Sequence, residues 1–411
     1  MRKNSIYINN FFRTENIIVL FVFVIGILNA RNYFILLGYD NIERILTYIY
    51  YILLAFSFTI VFIEIGTQKK KIHKPFFIYW IVIIIAILLK LFILFVQFPG
   101  SFMPNGYNFV YLINFISAIA ILFVIINGVQ NIELLKKCVF ALAIGLFSSA
   151  MIPLILFPEM IGKREIIVNN ITFSGGFWNV GVVGFISIGW ILVAMSINEK
   201  NKAKKNILLF MTIIICLVGL AGLSRAILLA ITLSLVVYLL VSRKVKQLVI
   251  VITIAIASVI AIMYLFNDIS TNLMLRLEGG INIEEEARTQ IWISYLTNIP
   301  DYFWFGEITG DFTKYTNWIF GPHSTPLNWF VQFGILGITG FIMLLLGTFK
   351  SIKYIVKVNS KSLSAPLYAW LFAYISVSFM NETGFNQYAI FCGFGFIYSW
   401  GIISYNRYKN A

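Results

Sequence analysis

Long apolar runs separated by short polar stretches recur along the chain from about position 17 to its C-terminal end. A run such as 76–95 is long enough to cross a hydrocarbon core of roughly 30 Å as a helix, which satisfies its own backbone hydrogen bonds in lipid. Matching each run to its flanking charge predicts twelve spans, starting near Ile17, Ile45, Phe76, Phe109, Cys138, Phe177, Ile207, Ala226, Leu248, Leu327, Leu363 and Tyr388. The expected fold class is therefore all-α: a polytopic membrane protein of about 12 transmembrane helices, one transmembrane domain over 1–411. Both termini are expected in the cytoplasm, because the first run follows Arg2, Lys3 and Arg13 without a small-residue cleavage site and reads as a retained span.

The stretch 207–241 could be taken for one run. A single crossing would put the basic loops 198–206 and 242–247 on opposite faces, and Gly219, Gly222 and Ser224 supply a break, so two spans are expected. Each then has about sixteen residues, roughly 24 Å of helix, which recesses the turn carrying Arg225 into the outer leaflet. A guanidinium at that depth calls for an anionic partner.

Between spans nine and ten lies the single large outer loop, 267–325, expected to carry short amphipathic helices. Within it, 284–299 reads as one such helix, with Ile291, Trp292, Tyr295, Leu296 and Ile299 on one face and Pro300 ending it. Arg288 stands at i, i+4 and i+7 with Trp292 and Tyr295, at the border of that apolar face. The aromatic residues that follow, from Tyr302 to Phe320, predict packing at the membrane interface.

Composition agrees with the pattern: 411 residues, 60% hydrophobic and 12% charged, unlike a water-soluble domain. The net charge of +14 could suggest nucleic acid, but 22 of the 31 lysines and arginines fall in loops assigned to the cytoplasmic side. Those loops hold only Glu15 and Glu199 among the carboxylates. This is the positive-inside distribution, and it argues against a nucleic-acid partner. Cys138, Cys216 and Cys392 sit in apolar runs and read as small buried hydrophobes.

Candidate chemistry concentrates where the outer loop re-enters the membrane. His323, in Gly321-Pro322-His323-Ser324-Thr325-Pro326, is one of two histidines and can act as a general base on a hydroxyl near neutral pH. A histidine at such a place also serves as a plain helix cap. Arg225 suits bidentate phosphate binding, with snorkelling to the headgroups as its ordinary alternative. Arg288 divides between an anion site and a surface pair with Glu284. Lys90, inside the third span, can also snorkel outward and is at best a secondary phosphate contact. The carboxylates of the outer loop form no paired motif on a rigid element, so no metal site is expected.

Several short stretches resemble the bacterial O-antigen ligase and O-antigen or capsular polysaccharide polymerase family. They are Trp178, Asn179 and Gly181 opening the sixth span, GLSRAILLA from Gly222, Arg288 with Trp292, FGEITG from Phe305, and HSTPLNWFVQFGILGITG from His323. Their order around a long outer loop carries the resemblance. It implies an undecaprenyl-diphosphate-linked glycan donor and a glycan acceptor, no cofactor or metal, and an active site on the outer face of the bacterial cytoplasmic membrane. By the same resemblance His323 is the base, Arg225 and Arg288 hold the diphosphate, and Asn179 and Ser324 are secondary site residues. A chain-length regulator belongs among the partners it allows. Many members have Asn after the histidine where this chain has Ser324, whose hydroxyl can also donate or accept.

The reading favoured on these grounds is a glycosyltransferase that polymerises lipid-linked repeat units. A ligase moving glycan to lipid A core shares its donor and base. A lipid-linked glycan flippase or transporter would also show basic cytoplasmic loops, but usually with related halves and a midplane site. A metal-dependent oligosaccharyltransferase would be expected to carry an acidic motif in its first outer loop, where only Asp40 and Glu43 occur.

Overall fold

The computed structural model describes residues 13–29, 39–67, 107–156, 165–168, 171–174, 181–221, 225–244, 285–307, 321–380 and 387–410, with positions 81, 82, 84, 85, 88–90, 92 and 96 of the third span. Within these, helix dominates: α1 (Thr14–Leu28), α2 (Asp40–Gly66), α3 (Tyr107–Gly128) and α4 (Ile132–Leu156) come first. A two-stranded antiparallel hairpin follows, β1 (Glu165–Val168) with β2 (Ile171–Ser174), in register Glu165 to Ser174. It is a small addition to the otherwise helical expectation. A π-helical turn (Phe185–Gly189) then leads into α5 (Trp190–Asn198), α6 (Lys202–Ala221), α7 (Arg225–Val241), α8 (Glu285–Thr297), α9 (Ile299–Tyr302), α10 (Thr325–Val358), α11 (Ser364–Met380) and α12 (Tyr388–Asn410).

Six of the described helices, α2, α4, α6, α10, α11 and α12, are long and apolar enough to cross a membrane, and shorter apolar helices accompany them. The expected span near Leu248 lies outside the described residues. The stretch 207–241 does divide: α6 ends at Ala221 and α7 begins at Arg225.

Small residues set the closest helix pairs, as expected where lipid supplies no hydrophobic force between helices. A Cβ on Gly26 of α1 would come within 2.8 Å of the Gly145 backbone on α4. Tyr398 of α12 is fully buried, and its hydroxyl donates to the Leu344 carbonyl of α10 (3.0 Å). The π turn leaves the Ser187 carbonyl to an outside donor, the indole N–H of Trp370 on α11 (3.2 Å). Cys138 and Cys392 are buried and Cys216 partly so, all as free thiols.

Candidate functional site

His323 occupies the turn that leads into α10, and its backbone is left-handed (φ 49°). A non-glycine residue in that region is uncommon and holds only where its surroundings fix it, which makes it a pointer to function. Ser324, in extended conformation, is the N-cap of α10 and buried; its hydroxyl does not cap the helix. Pro326 sits in the first turn, where the missing N–H costs nothing.

α10 is one helix only by name. Gly334 has φ 62° and ψ −149°, a conformation essentially confined to glycine, and it breaks the 34-residue element in two. The portion after the break, 335–358, is about 36 Å long and suffices by itself to cross a core of roughly 30 Å. The piece before it, 325–333, is a separate half-helix that presents Ser324, Asn328 and Gln332 on one buried face at i, i+4 spacing. Gln332 Nε2 donates to Asn328 Oδ1 (2.9 Å). The helix expected from Leu327 is thus broken at Gly334, and His323 stands just before its short first piece.

Helix α8 is docked onto that half-helix. Ile291 and Tyr295 are buried with Tyr302 and Val331, and Trp292, Ile299, Leu327 and Phe330 pack around them. Trp292 Nε1 donates to the carbonyl of Pro322 (2.7 Å), the residue before His323. Burial, with Tyr295 and Asp301 beside it, raises the pKa of the Tyr302 hydroxyl above its ordinary value, and this hydroxyl donates to the Tyr295 carbonyl. Two details of the expected helix change. Leu296, placed on the buried face by periodicity, is 52% exposed. Pro300 does not end α8, which stops at Thr297; it starts the one-turn helix α9, where proline is tolerated. Asn298 Nδ2 binds the Ser294 carbonyl (2.7 Å) and helps close α8 before the proline is reached.

Beyond α9 the chain folds into the break of α10. The Glu307 N–H donates to the Val331 carbonyl (2.6 Å), and the Ile335 N–H to the Phe303 carbonyl (2.7 Å). Backbone groups left over by the break are therefore paired with the 303–307 turn. Gly306 (φ 76°) and Gly334 meet at this contact: a Cβ on Gly306 would fall on the Gln332 carbonyl, and one on Gly334 would come within 2.5 Å of the Trp304 carbonyl. Lys90 enters from the third span, with Nζ donating to the carbonyls of Gln332 (2.7 Å) and Glu307. Its ammonium also lies 5.7 Å from the centre of the Phe333 ring. The structure thus gives Lys90 two main-chain partners at the helix break, in place of the outward snorkelling considered from sequence.

The structure brings His323 and the helix of Arg288 together. Position 288 lies one turn, about 6 Å of rise, before Trp292, which is bonded to Pro322. By register it shares the face of Ile291, Trp292 and Tyr295. Arg225 is the first residue of α7. The side chains of Arg225 and Arg288, and all of Asn179, lie outside the described residues. Gly181, two positions after Asn179, packs so closely on Gly219 that a Cβ on it would overlap the Gly219 backbone. This contact joins the segment that begins at Gly181 to Gly219 at the end of α6, six positions before Arg225. Gly181→Val is accordingly expected to cut the yield of folded protein several-fold, as measured by size-exclusion of the detergent extract, because neither backbone can withdraw.

These stretches can be compared with known proteins. Residues 208–342 match the family model of O-antigen ligase. The matched stretch runs from α6 through α8 to just beyond the Gly334 break, and it contains Arg225, Arg288, His323 and Ser324. It supports the resemblance to the O-antigen ligase and polymerase family and, with the apolar helices, a multi-pass bacterial inner-membrane protein with glycosyltransferase-type activity. Lys90 and Asn179 fall outside the match. No curated protein matches the chain. Sequence reasoning had no signal for the Gly306–Gly334 contact beyond two glycines some thirty positions apart.

Proposed function

We propose that the protein polymerises undecaprenyl-diphosphate-linked oligosaccharide repeat units of a surface polysaccharide, O-antigen or capsule, at the outer face of the cytoplasmic membrane. His323 takes the proton of the acceptor hydroxyl while its oxygen attacks the anomeric carbon of the donor glycan. The bond from that carbon to the diphosphate oxygen breaks, and undecaprenyl diphosphate leaves with the electron pair. Arg225 and Arg288 hold the diphosphate, whose charge grows in the transition state, so fixed guanidinium donors favour that state over the ground state. With the charge met in this way, the reaction runs without a metal ion. The reading includes twelve spans, cytoplasmic termini and an outward-facing 267–325 loop.

The observation that carries this reading is the left-handed His323, held through Pro322 by Trp292 on the helix that bears Arg288. A second reading, transfer of finished glycan to lipid A core, draws support from the description of the matched family. Purified protein incubated with a lipid-diphosphate oligosaccharide is expected to give a ladder of longer lipid-linked glycans, unchanged by a chelator. Product only when lipid A core is added would favour the ligase. Loss of product with chelator, restored by a divalent ion, would overturn the metal-free mechanism.

A further inference from the structure

We propose that Lys90 is a positioning residue that ties the 303–307 turn to the end of the 325–333 half-helix and so sets the His323 turn against α8. Its catalytic consequence rests on the reading of His323 and Arg288 above; the tie itself does not.

A lysine inside a membrane span is costly unless its charge is met. An ammonium has three donors and no acceptor. Two of the three are directed at main-chain carbonyls of segments remote in sequence, Gln332 and Glu307. The Gln332 carbonyl lies in the last turn before Gly334, where a helix leaves its carbonyls without intrahelical partners. The neighbouring Val331 carbonyl is taken by the Glu307 N–H, so the ammonium and this N–H together bridge one helix end to one turn. The Phe333 ring lies on one side, and the carboxyl of Glu307, itself buried, acts electrostatically on the ammonium. Each of these groups holds the cation at the break. The same two segments carry the rest of the site: the half-helix begins beside His323, and the turn continues from α9, whose Tyr302 packs on α8. Loss of the tie would leave the helices inserted while letting the turn and the half-helix shift against each other.

Hydrogen exchange of the detergent-purified full-length protein tests this directly. In Lys90→Met, amides of peptides covering 303–307 and 331–335 are expected to exchange about tenfold faster or more, with α6 and α11 unchanged. Lys90→Arg, which keeps charge and donors, should restore most of the protection. In the transfer assay, Lys90→Met should lower kcat about tenfold while KM for the lipid-linked donor and inhibition by inorganic pyrophosphate stay within about threefold. If Lys90→Met folds poorly, the Lys90→Met/Glu307→Gln protein, which also removes the buried negative charge beside the lost cation, should fold and still show faster exchange. Unchanged exchange in these peptides overturns the proposal, and weakened pyrophosphate inhibition with normal exchange would make Lys90 a phosphate contact instead. Faster exchange in a protein whose wild type transfers no glycan would leave the tie standing and defeat the glycosyltransferase reading.

Discussion

His323→Asn is expected to insert and fold like the wild type yet lose glycan transfer by about 10²–10⁴-fold, the usual contribution of a positioned general base. Asparagine is the informative choice because of the backbone. His323 is left-handed, and asparagine tolerates that conformation far better than alanine. His323→Ala should abolish polymer too, but it also adds backbone strain of about 1 kcal/mol, so a loss of activity there has two causes. Arg225→Lys keeps the charge but not the planar fork, and its activity should fall nearly as far. The measurement is turnover of a lipid-diphosphate oligosaccharide by purified variants, with size-exclusion profiles as the control for folding. Normal polymer from His323→Asn would end the assignment of the base.

What the sequence could convey followed from the physics of periodicity. Apolar runs and basic loops located most helices, and the split of 207–241 was legible because a single span would have violated the charge distribution. The docking face of α8 was legible at Ile291, Trp292 and Tyr295. It failed at Leu296, which is 52% exposed: periodicity marks an apolar stripe but not how much of it a partner covers. Nothing in a hydropathy pattern reveals a helix break: Gln332-Phe333-Gly334-Ile335 is as apolar as its surroundings, and a lone glycine is compatible with continuous helix. The role proposed for Lys90 depends on that break, since the Gln332 carbonyl is left for it only where the helix stops pairing its own carbonyls. From sequence alone a cation at that depth suggested an anion, whereas the folded chain supplies main-chain dipoles.

The break also predicts where the site is most fragile. Gly334→Ala is expected to be among the most damaging single substitutions in the described chain. At φ 62° and ψ −149° an alanine carries a strain of about 1–3 kcal/mol before any contact is considered. Its Cβ would also meet the carbonyls of Trp304 and Phe303 within 2.5 and 2.6 Å. These are backbone atoms pinned by the Ile335–Phe303 and Glu307–Val331 hydrogen bonds, so relief requires the turn to detach from the half-helix. Detachment would cost about 1 kcal/mol for each bond broken and would release α9 and α8 from their seat beside His323. Gly66 at the end of α2 provides the control, because a Cβ there would meet nothing within 4 Å. Gly66→Ala should leave the melting temperature within a degree or two or raise it slightly, by better helix propensity. Gly334→Ala should lower it by several degrees, speed exchange across 303–307, and reduce transfer at least tenfold even at temperatures where the protein remains inserted. A normal melting temperature and normal transfer in Gly334→Ala would mean that α10 runs through position 334 without the break, and the half-helix that holds His323 would have to be abandoned.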